Sequence, residues 1–341
     1  MVSSSSIAII GAGISGLACA NVLKKRGIAC EIFEKSRGPG GRLASRRLGE
    51  GTVDLGAQYF TAHDERFCHE VTAWRSAGVV KAWPGRLGIC QGETIHYPEA
   101  PPLRYCGAPR MSALTRHLAQ DMNVRVGCRI ESLERQVNGW WLIDDKRQRQ
   151  GPFSAVVISV PTPQAVPLVA PHDPALVMAS EAVVQHPTWT AYAVFDKPLD
   201  DSLVAGGDWQ GLFVDVGPLD LVARNSTKSG REPRESLTLL ATHAWTQVCL
   251  EEKPSRIADW LYQAFTARFT TRALPVPLAL GAHRWRYAKP SVSTSKSFGK
   301  DAAQDFHLND TGLGLCGDAW RGARVEDAWL SGHQLGLALA S

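Results

Sequence analysis

A glycine pattern near the start of the chain restricts the fold more than any other feature. The run IAIIGAGISGLACANVL contains Gly11, Gly13 and Gly16, and the apolar Ile7–Ile10 before them predicts a buried parallel strand. Gly11 permits a tight turn, and Gly13 lets backbone approach a pyrophosphate. Gly16 allows a helix, predicted over Ile14–Leu23, to pack closely on the sheet. The pattern therefore predicts a Rossmann-type unit that binds an adenine dinucleotide.

An acidic residue at the expected distance supports this interpretation. A second predicted strand, Ile28–Phe33, leads into Glu34, which lies 18 residues beyond Gly16 (34 − 16). Dinucleotide-binding folds place the acid that binds ribose hydroxyls roughly 20 residues on. The N-terminus of the predicted helix presents free N–H groups and a partial positive charge to the phosphates. The fingerprint alone does not separate NAD from FAD.

The bulk composition restricts the class of protein. The chain has 341 residues, 44% hydrophobic and 21% charged, which suits a globular protein with one bipartite domain or two domains. A net charge of +4 gives no reason to expect nucleic acid. The 8 cysteines form no C-x-x-C pair and no metal-like spacing, so we expect reduced thiols and no metal. We expect a cytoplasmic protein without a membrane span or an obligate protein partner, and Met1–Gly16 as a first strand rather than a signal peptide.

Two segments after the first unit point to the cofactor. In GGRLASRR, glycines let a loop pass close to a cofactor, and Arg42 can place its guanidinium on a pyrophosphate. The alternative for Arg42 is a solvated loop charge. In VDLGAQYF, the residues Asp54 to Ala57 turn a strand back toward the same place. Both segments favour FAD over NAD.

The C-terminal region adds a third segment. Leu313–Cys316 is predicted to be a strand, Gly317 and Asp318 a turn, and Val325–Ala340 a helix with apolar residues at helical spacing. An acid in such a turn can accept hydrogen bonds from cofactor hydroxyls. The helix N-terminus that follows can stabilise negative charge on the pyrimidine side of a flavin.

Together these segments resemble the flavin-containing amine oxidase superfamily. Within it, GGRLASRR, DLGAQYFTA, HPTW, AHRWRYAKP and GDAW followed by RVEDAWLSG are most similar to bacterial renalases, and the resemblance runs from Ile7 to about Leu337. It implies an α/β fold of the flavin amine oxidase and p-hydroxybenzoate hydroxylase type. The FAD-binding domain would be discontinuous (1–62, 107–163 and 305–341). A mostly antiparallel substrate domain (63–106 and 164–304) would cover the flavin.

The resemblance also implies a set of cofactor-binding residues. These are Gly11, Gly13, Ile14, Ser15, Gly16, Glu34, Lys35, Gly41, Arg42, Leu43, Ala57, Gln58, Ile130, Asp318, Val325, Glu326 and Ala328. Further elements are predicted from pattern: a helix over Met111–Gln120, a hairpin through Asn138 and Gly139, strands over Val124–Cys128, Ala155–Val160, Thr190–Phe195 and Leu237–His243, and loops over Arg224–Arg231 and Lys289–Lys300.

The same resemblance implies a reaction. The substrates would be misreduced nicotinamide dinucleotides, the 2-dihydro and 6-dihydro isomers of NAD(P)H, oxidised to NAD(P)+ at the flavin N5 while O2 becomes H2O2. No catalytic side chain is required, because the substrate already carries the hydride and gains aromaticity. Candidate substrate-lining residues are Tyr59, Phe60, Arg104, Tyr105, Trp189, His243, Trp285, Arg286 and Arg324. For the aromatic members the alternative is a place in the core, for His243 a satisfied or surface position, and for Arg104 and Arg286 plain solvation.

Two positions depart from the superfamily pattern. Arg324 stands where amine oxidases usually carry a tyrosine of an aromatic cage, and a cation there would repel a protonated amine and suit a phosphate-bearing substrate. Asp327 stands where the family usually has glycine, which adds a side chain and a negative charge close to the flavin. The first departure favours the renalase-like interpretation, and the second predicts altered activity.

Four other functions stay open at this stage. The chain could oxidise amines or polyamines, or desaturate an isoprenoid; an acidic tunnel would favour the first and a long apolar tunnel the second. It could be a binding protein that keeps the fold without FAD, as GDP-dissociation inhibitors do, although the intact fingerprint opposes this. An NAD-dependent dehydrogenase would explain the fingerprint but not the GGR and C-terminal GD segments.

Overall fold

Strands and helices alternate along the chain. The computed structural model describes residues 6–49, 51–203, 209–231, 234–270, 273–291 and 305–341. The strands are β1 Ile7–Ile10, β2 Cys30–Glu34, β3 Ser45–Leu48, β4 Gly51–Asp54, β5 Val80–Ala82, β6 Leu87–Gln91, β7 Thr94–His96, β8 Tyr105–Gly107, β9 Val124–Val126, β10 Ile130–Gln136, β11 Gly139–Asp144, β12 Arg149–Phe153, β13 Ala155–Ile158, β14 Gln185–Val194, β15 Gly211–Val214, β16 Leu219–Arg224, β17 Ser236–Ala241, β18 Ala279–Pro290, β19 His307–Leu308 and β20 Leu313–Leu315. The α-helices are α1 Ile14–Lys25, α2 Glu65–Ser76, α3 Ser112–Leu118, α4 Thr162–Val169, α5 Pro174–Glu181, α6 His243–Val248, α7 Pro254–Phe269 and α8 Val325–Leu339.

A six-stranded sheet forms the first layer, in the order β19-β20-β13-β1-β2-β9. All its pairs are parallel except β19 with β20. Each residue of β1 is buried, as expected for a parallel strand covered on both faces. Ile7 and Ile9 pack in the cluster that includes α1 and α8, whereas Ala8 and Ile10 pack in the cluster that includes β10, β11 and α4. The chain thus forms a Rossmann-like α/β layer, as the sequence predicts.

Helices α1 and α8 cross at very short range on this sheet. A Cβ placed on Gly332 of α8 would lie 1.9 Å from the carbonyl oxygen of Ser15 in α1. Further along, a Cβ on Gly336 would lie 2.8 Å from the Cβ of Val22. The C-terminal helix is therefore seated directly against the helix that follows the glycine fingerprint.

A seven-stranded sheet forms the second layer, in the order β18-β14-β17-β16-β15-β6-β7. It is antiparallel except between β15 and β6, which confirms the expected mostly antiparallel sheet. One face packs against α7 through Leu261 and Phe265. On the other face, Leu221 and Ala223 pack in the cluster of the first layer, and Thr238 Oγ1 donates to the carbonyl oxygen of Asp54 in β4 over 3.1 Å. Domain boundaries at 62, 106, 163 and 304 remain a prediction.

The predicted elements are present with shifted ends. The largest shift is in β14, which begins at Gln185 rather than Thr190. The Arg224–Arg231 run is a loop with a short 3-10 turn at Asn225–Thr227, as predicted, but Lys228 within it is buried. Residues 292–300 of the second predicted loop lie outside the described residues. None of the helices in the described ranges has the length and apolar character needed to cross a membrane.

Candidate functional site

The N-terminus of α1 forms an open hollow lined by glycines. Its N-cap residue is Gly13, no side chain caps the helix, and the first residues, Ile14 and Ser15, are buried. A Cβ added to Gly13 would meet nothing within 4 Å, and a Cβ added to Gly41 would lie 3.3 Å from the Gly13 Cα. A buried helix end with uncapped N–H groups needs an acceptor, and a phosphate is the usual one.

Close backbone approaches explain the two other fingerprint glycines. Gly11 has φ +105°, and a Cβ there would lie 2.8 Å from the carbonyl oxygen of Ser159. A Cβ on Gly16 would lie 2.2 Å from the carbonyl oxygen of Gly11. Both positions exclude any side chain, so the turn geometry depends on glycine.

Glu34 is buried at the end of β2, and its carboxylate accepts hydrogen bonds from the backbone of two neighbouring loops. Its Oε2 accepts the N–H of Ala12 and its Oε1 accepts the N–H of Ser36, each over 2.8 Å. Its carbonyl oxygen accepts the N–H of Cys128, which brings the buried Ile130 close to this acid. Lys35 points outward and donates to Gln164 Oε1 over 3.0 Å.

Arg42 connects three distant segments. Its guanidinium donates two hydrogen bonds of 2.6 Å to the carboxylate of Asp318 and one of 2.9 Å to the carbonyl oxygen of Ala288. Leu43 beside it is buried. The structure thus brings Arg42 and Asp318, both predicted cofactor residues, into one bidentate ion pair.

The turn after β4 packs onto the GGR loop. The Ala57 N–H donates to the Arg42 carbonyl oxygen over 2.9 Å, and a Cβ on Gly56 would lie 1.9 Å from that oxygen. The side-chain amide of Gln58 donates to the carbonyl oxygens of Asp54 and Gly56, each over 2.8 Å. Gln58 therefore holds the turn from within rather than reaching outward.

A fully buried ion cluster lies behind this turn. Lys228 Nζ donates to Asp54 Oδ2 (3.0 Å), Gln58 Oε1 (3.0 Å) and Asn225 Oδ1 (2.9 Å). Arg231 adds a 2.6 Å bond to the same Asp54 oxygen. Burial raises the pKa of the Asp54 carboxyl, but the Lys228 ammonium and the Arg231 guanidinium outweigh this and hold that pKa below its usual range.

The start of α8 carries three charged residues, and all three make hydrogen bonds within the fold, although the buried Glu326 Oε2 makes none. Asp327 accepts from the N–H and the guanidinium of Arg324, over 3.2 and 2.9 Å, and caps the helix. Glu326 is buried, and its Oε1 accepts the N–H groups of His63 and Asp64 over 2.6 and 2.7 Å. The Arg324 charge is thus neutralised by Asp327 rather than free for a substrate phosphate. Val325 and Ala328 complete the first turn.

Tyr59 and Arg104 face each other beside the turn. The guanidinium carbon of Arg104 lies 5.2 Å from the centroid of the Tyr59 ring and 5.8 Å from that of Phe213. Phe213 belongs to β15 of the seven-stranded sheet and packs with Tyr59 against the cluster of the first layer. We refer to these three side chains, Tyr59, Arg104 and Phe213, as the candidate substrate wall.

Four predicted lining residues have other environments. Trp189 lies on the α7 face of the sheet, buried with Leu261 and donating to the Cys249 carbonyl oxygen, so it is turned away from the first layer. Arg286 is exposed and paired with Glu251. Phe60 is buried in the core, and its backbone pairs with that of Tyr105, which is half-buried.

Trp285 and His243, two further predicted lining residues, make contacts within the fold. Trp285 Nε1 donates to the carbonyl oxygen of Leu55 over 2.8 Å, so this ring packs behind the turn. His243 begins α6, and its ring stacks on that of His186 with centroids 4.6 Å apart. Within the described ranges no group of His, Cys, Asp or Glu is arranged to hold a metal ion.

Residues that depend on long-range pairing could not be identified from the sequence. Lys228 and Arg231 were expected in a plain loop, and Phe213 carried no signal beyond an apolar strand. The one available hint was Asp54, an acid at the end of an apolar strand, which needs a buried partner.

Comparison with known proteins gives two family matches. Residues 9–71 match a model described as an NAD(P)-binding Rossmann-like domain. Residues 93–334 match the model of flavin-containing amine oxidoreductases, which is well over half of the chain.

Curated relatives match over a short stretch. A 1-hydroxycarotenoid 3,4-desaturase of Flavobacterium sp. (strain P99-3) is 49% identical over 53 residues, 16% of this chain and 11% of the desaturase. A zeta-carotene-forming phytoene desaturase of Myxococcus xanthus is 44% identical over 50 residues, 15% of this chain and 10% of that protein. The chain thus spans about a tenth of the length of these relatives.

Solved structures match over the whole fold. Cyclohexylamine oxidase from Brevibacterium oxydans has a TM-score of 0.75 at 14% identity, covering 99% of each chain. Putrescine oxidase bound to putrescine has a TM-score of 0.73 at 12% identity, covering 98% of each chain. A candidate protoporphyrinogen oxidase from Exiguobacterium sp. 255-15 has a TM-score of 0.77 at 14% identity, covering 100% of this chain and 99% of the other. At these identities the likeness establishes the fold.

Proposed function

Because the chain belongs to the flavin-containing amine oxidoreductase family, we propose that it is an oxidase of misreduced nicotinamide dinucleotides. The family makes it a flavin-dependent oxidoreductase with FAD as its cofactor. The proposed substrates are the 2-dihydro and 6-dihydro isomers of NAD(P)H, and the proposed products are NAD(P)+ and H2O2. O2 is the proposed final electron acceptor.

The residues around the hollow fit an extended FAD. The uncapped end of α1 beside Gly13 and Gly41 suits the pyrophosphate, since nothing fills the space that a side chain at Gly13 would take. Glu34 would bind the adenosine ribose, with Ile130 near the adenine. Asp318 would bind ribityl hydroxyls. The first turn of α8 would face the pyrimidine end of the flavin.

FAD, when bound, supplies the hydride acceptor and transfers the electrons to oxygen. The protein side chains bind and orient the donor ring. Tyr59 and Phe213 offer aromatic faces for a flat ring and exclude water from it. A dihydropyridine that loses hydride becomes aromatic without losing a proton, so the reaction needs no general base.

One observation carries the choice of substrate: three aspartates around the hollow are already paired with cations. Asp54 is paired with Lys228 and Arg231, Asp318 with Arg42, and Asp327 with Arg324. An ammonium group entering this shell finds no free acid among them, while the wall offers aromatic rings and a cation. That environment favours an electron-rich, anionic dinucleotide over a protonated amine.

Anaerobic mixing of the purified holoenzyme with a purified 6-dihydro isomer of NAD tests the proposal. We expect rapid loss of the visible absorbance of oxidised flavin, with recovery and H2O2 formation when O2 is admitted. Ordinary NADH, which differs only in the position of the hydride, is the matched control and should react far more slowly. A flavin that stays oxidised with both the 2-dihydro and the 6-dihydro isomers would overturn the proposal.

Amine oxidation or desaturation is the second candidate. The structural likeness to cyclohexylamine and putrescine oxidases and the short match to carotenoid desaturases favour it. The same anaerobic assay with putrescine, cyclohexylamine and phytoene separates the candidates. Flavin reduction by one of these compounds, and not by the isomers, would establish the second candidate in place of the first.

Glu34→Gln should weaken FAD binding about tenfold to a hundredfold. The new side-chain NH2 group would face a backbone N–H that now donates to a carboxylate oxygen, and an unsatisfied buried group costs about 1–3 kcal/mol. The measurement is the Kd of FAD for apoprotein by fluorescence quenching. Glu31→Gln, on the same strand but in a surface pair with Arg125, is the control and should bind FAD normally. Equal affinity for both variants would contradict the role given to Glu34.

A further inference from the structure

Arg104 is a buried guanidinium in the substrate wall. It precedes β8, and only 7% of its surface is exposed. Its carbonyl oxygen accepts the N–H of Trp83 over 2.8 Å, which fixes the backbone. The guanidinium carbon lies 5.2 Å from the centroid of Tyr59 and 5.8 Å from that of Phe213, and these two rings are nearly perpendicular with their centroids 6.3 Å apart. Contact with both rings restricts the orientation of the planar fork.

This cation has no anionic partner within the described part of the chain. Among the described residues, the Arg104 guanidinium makes no ion pair and no hydrogen bond, and its Nε is buried without an acceptor. A second buried arginine shows the ordinary arrangement: Arg224 donates to the Glu235 carboxylate over 2.9 Å and to the Leu199 carbonyl oxygen over 2.7 Å. Buried charges are normally paired because desolvation costs several kcal/mol per ion. Arg104 is therefore a buried cation whose partner is not among the residues that the structure describes.

The position of Arg104 ties that partner to the substrate. Tyr59 comes directly after Gln58, whose side chain holds the turn that packs on the GGR loop. Phe213 lies on the sheet face that meets the first layer. The guanidinium consequently lies between the turn and the second sheet.

We propose that Arg104 is a specificity-determining residue that binds an oxyanion of the substrate, a carboxylate or a phosphate. The proposal rests on the proposed function only in placing the substrate at this wall; it holds for any flat anionic donor. A guanidinium fork matches an oxyanion with two parallel hydrogen bonds, and the two flanking rings accept a flat group beside the charge. The same buried cation excludes substrates that carry a positive charge next to the reacting ring.

Binding of small aromatic probes to the holoenzyme tests this directly. Benzoate, phenyl phosphate, benzamide and benzylamine share one ring and differ in the charged group, and binding is read from the visible spectrum of the flavin. We expect benzoate or phenyl phosphate, or both, to bind at least about tenfold more tightly than neutral benzamide, and benzylamine most weakly. Their order assigns the preferred anion as carboxylate or phosphate. Equal binding of anions and benzamide, or tightest binding of benzylamine, would overturn the proposal without any variant.

Arg104→Met removes the charge and keeps most of the length. We expect it to weaken binding of the preferred anion about tenfold to a hundredfold and to leave benzamide unchanged. The control is Arg86→Met, because Arg86 also stacks on a tyrosine, with its guanidinium carbon 4.4 Å from the Tyr97 centroid, but is exposed. An equal loss for anion and benzamide would show a merely structural role and reject the proposal.

The outcome is separable from that of the proposed function. Anion selectivity that depends on Arg104, together with a flavin that is not reduced by either dihydro isomer, would keep the oxyanion subsite and reject the dinucleotide. Reduction by an isomer at equal rates in wild type and Arg104→Met, with no anion selectivity, would keep the oxidase and reject the subsite.

Discussion

Asp54→Asn is expected to destabilise the folded protein by about 3–5 kcal/mol, the loss usual when one partner of a buried ion pair is removed. The Asp54 side chain is fully buried and accepts from Lys228 and Arg231. It also accepts the N–H of Met111 and the hydroxyl of Ser45. Asparagine keeps the volume but leaves two cations, one of them completely buried, without a counter-charge. The turn toward the cofactor should loosen as well, so FAD retention should fall.

Urea unfolding of apoprotein and holoprotein measures this prediction. Asp144→Asn is the matched control: Asp144 is also a buried aspartate, but it accepts from the backbone N–H groups of Lys146 and Gln148 and has no ion pair. It should lose only about 1 kcal/mol. Adding Lys228→Met to Asp54→Asn should recover part of the loss, since it removes the orphaned ammonium. If the two asparagine variants lost equal amounts of unfolding free energy, this would contradict the stabilising role given to the Asp54 ion pairs.

Gly332→Ala is expected to lower the free energy of unfolding by a similar amount, because the new Cβ would collide with the backbone of α1. Its Cβ would lie 1.9 Å from the Ser15 carbonyl oxygen and 2.6 Å from the Ser15 carbonyl carbon. Neither atom belongs to a flexible side chain, so α1 and α8 must separate. Overpacking usually costs about 1–3 kcal/mol, and a backbone contact this short should reach or exceed the upper value. Because Ser15 is in the first turn of α1, the phosphate hollow should be displaced too.

Thermal unfolding and FAD content together read out this variant. Gly336→Ala, one turn further along the same helix, is the graded comparison. Its Cβ would meet the Val22 side chain at 2.8 Å and the Cys19 carbonyl oxygen at 3.0 Å, so its loss should be smaller and its FAD content closer to wild type. An alanine at 332 that is tolerated as well as one at 336 would show that the helices separate easily.

The first layer could be predicted from the sequence because its signals are local. The β1 run, the glycine turn and Glu34 lie within 28 residues of one another (34 − 7 = 27 apart), and each has its own backbone requirement. Gly11 shows such a backbone requirement in the structure: its φ is positive, and a carbonyl oxygen lies too close to leave room for a Cβ. The mostly antiparallel second layer could be predicted from alternating strands together with the family resemblance.

The direction of individual side chains could not be predicted. Strand β14 is buried on both faces from Trp189 onward, so its apolar pattern does not distinguish the face toward the first layer from the face toward α7. Trp189 was expected at the substrate and lies on the α7 face. A shift of one residue along the strand would place Trp189 on the opposite face of the sheet. Nothing in the HPTW segment alone indicates which face the side chain takes.

Ion pairs between residues far apart in the chain could not be predicted from the sequence either. The Arg224–Arg231 run looks like a solvated loop by composition, yet Lys228 is buried and paired with Asp54. This pairing is not visible in the sequence because Asp54 lies 174 residues away. Arg324 shows the opposite case. Its partner Asp327 lies three residues on, at the spacing of a capping box, so the pairing could have been inferred from the spacing alone.

The order of strands in the six-stranded sheet has a consequence for synthesis on the ribosome. The central strand β1 is made well before β20 and α8, which complete its sheet and cover its helix and follow about 300 residues later. At roughly 5–20 residues per second, that interval lasts about 15–60 s. During this time the face of α1 that α8 covers has no final partner. We therefore expect the nascent chain to be a chaperone client until α8 is made, and cofactor loading to follow the synthesis of α8.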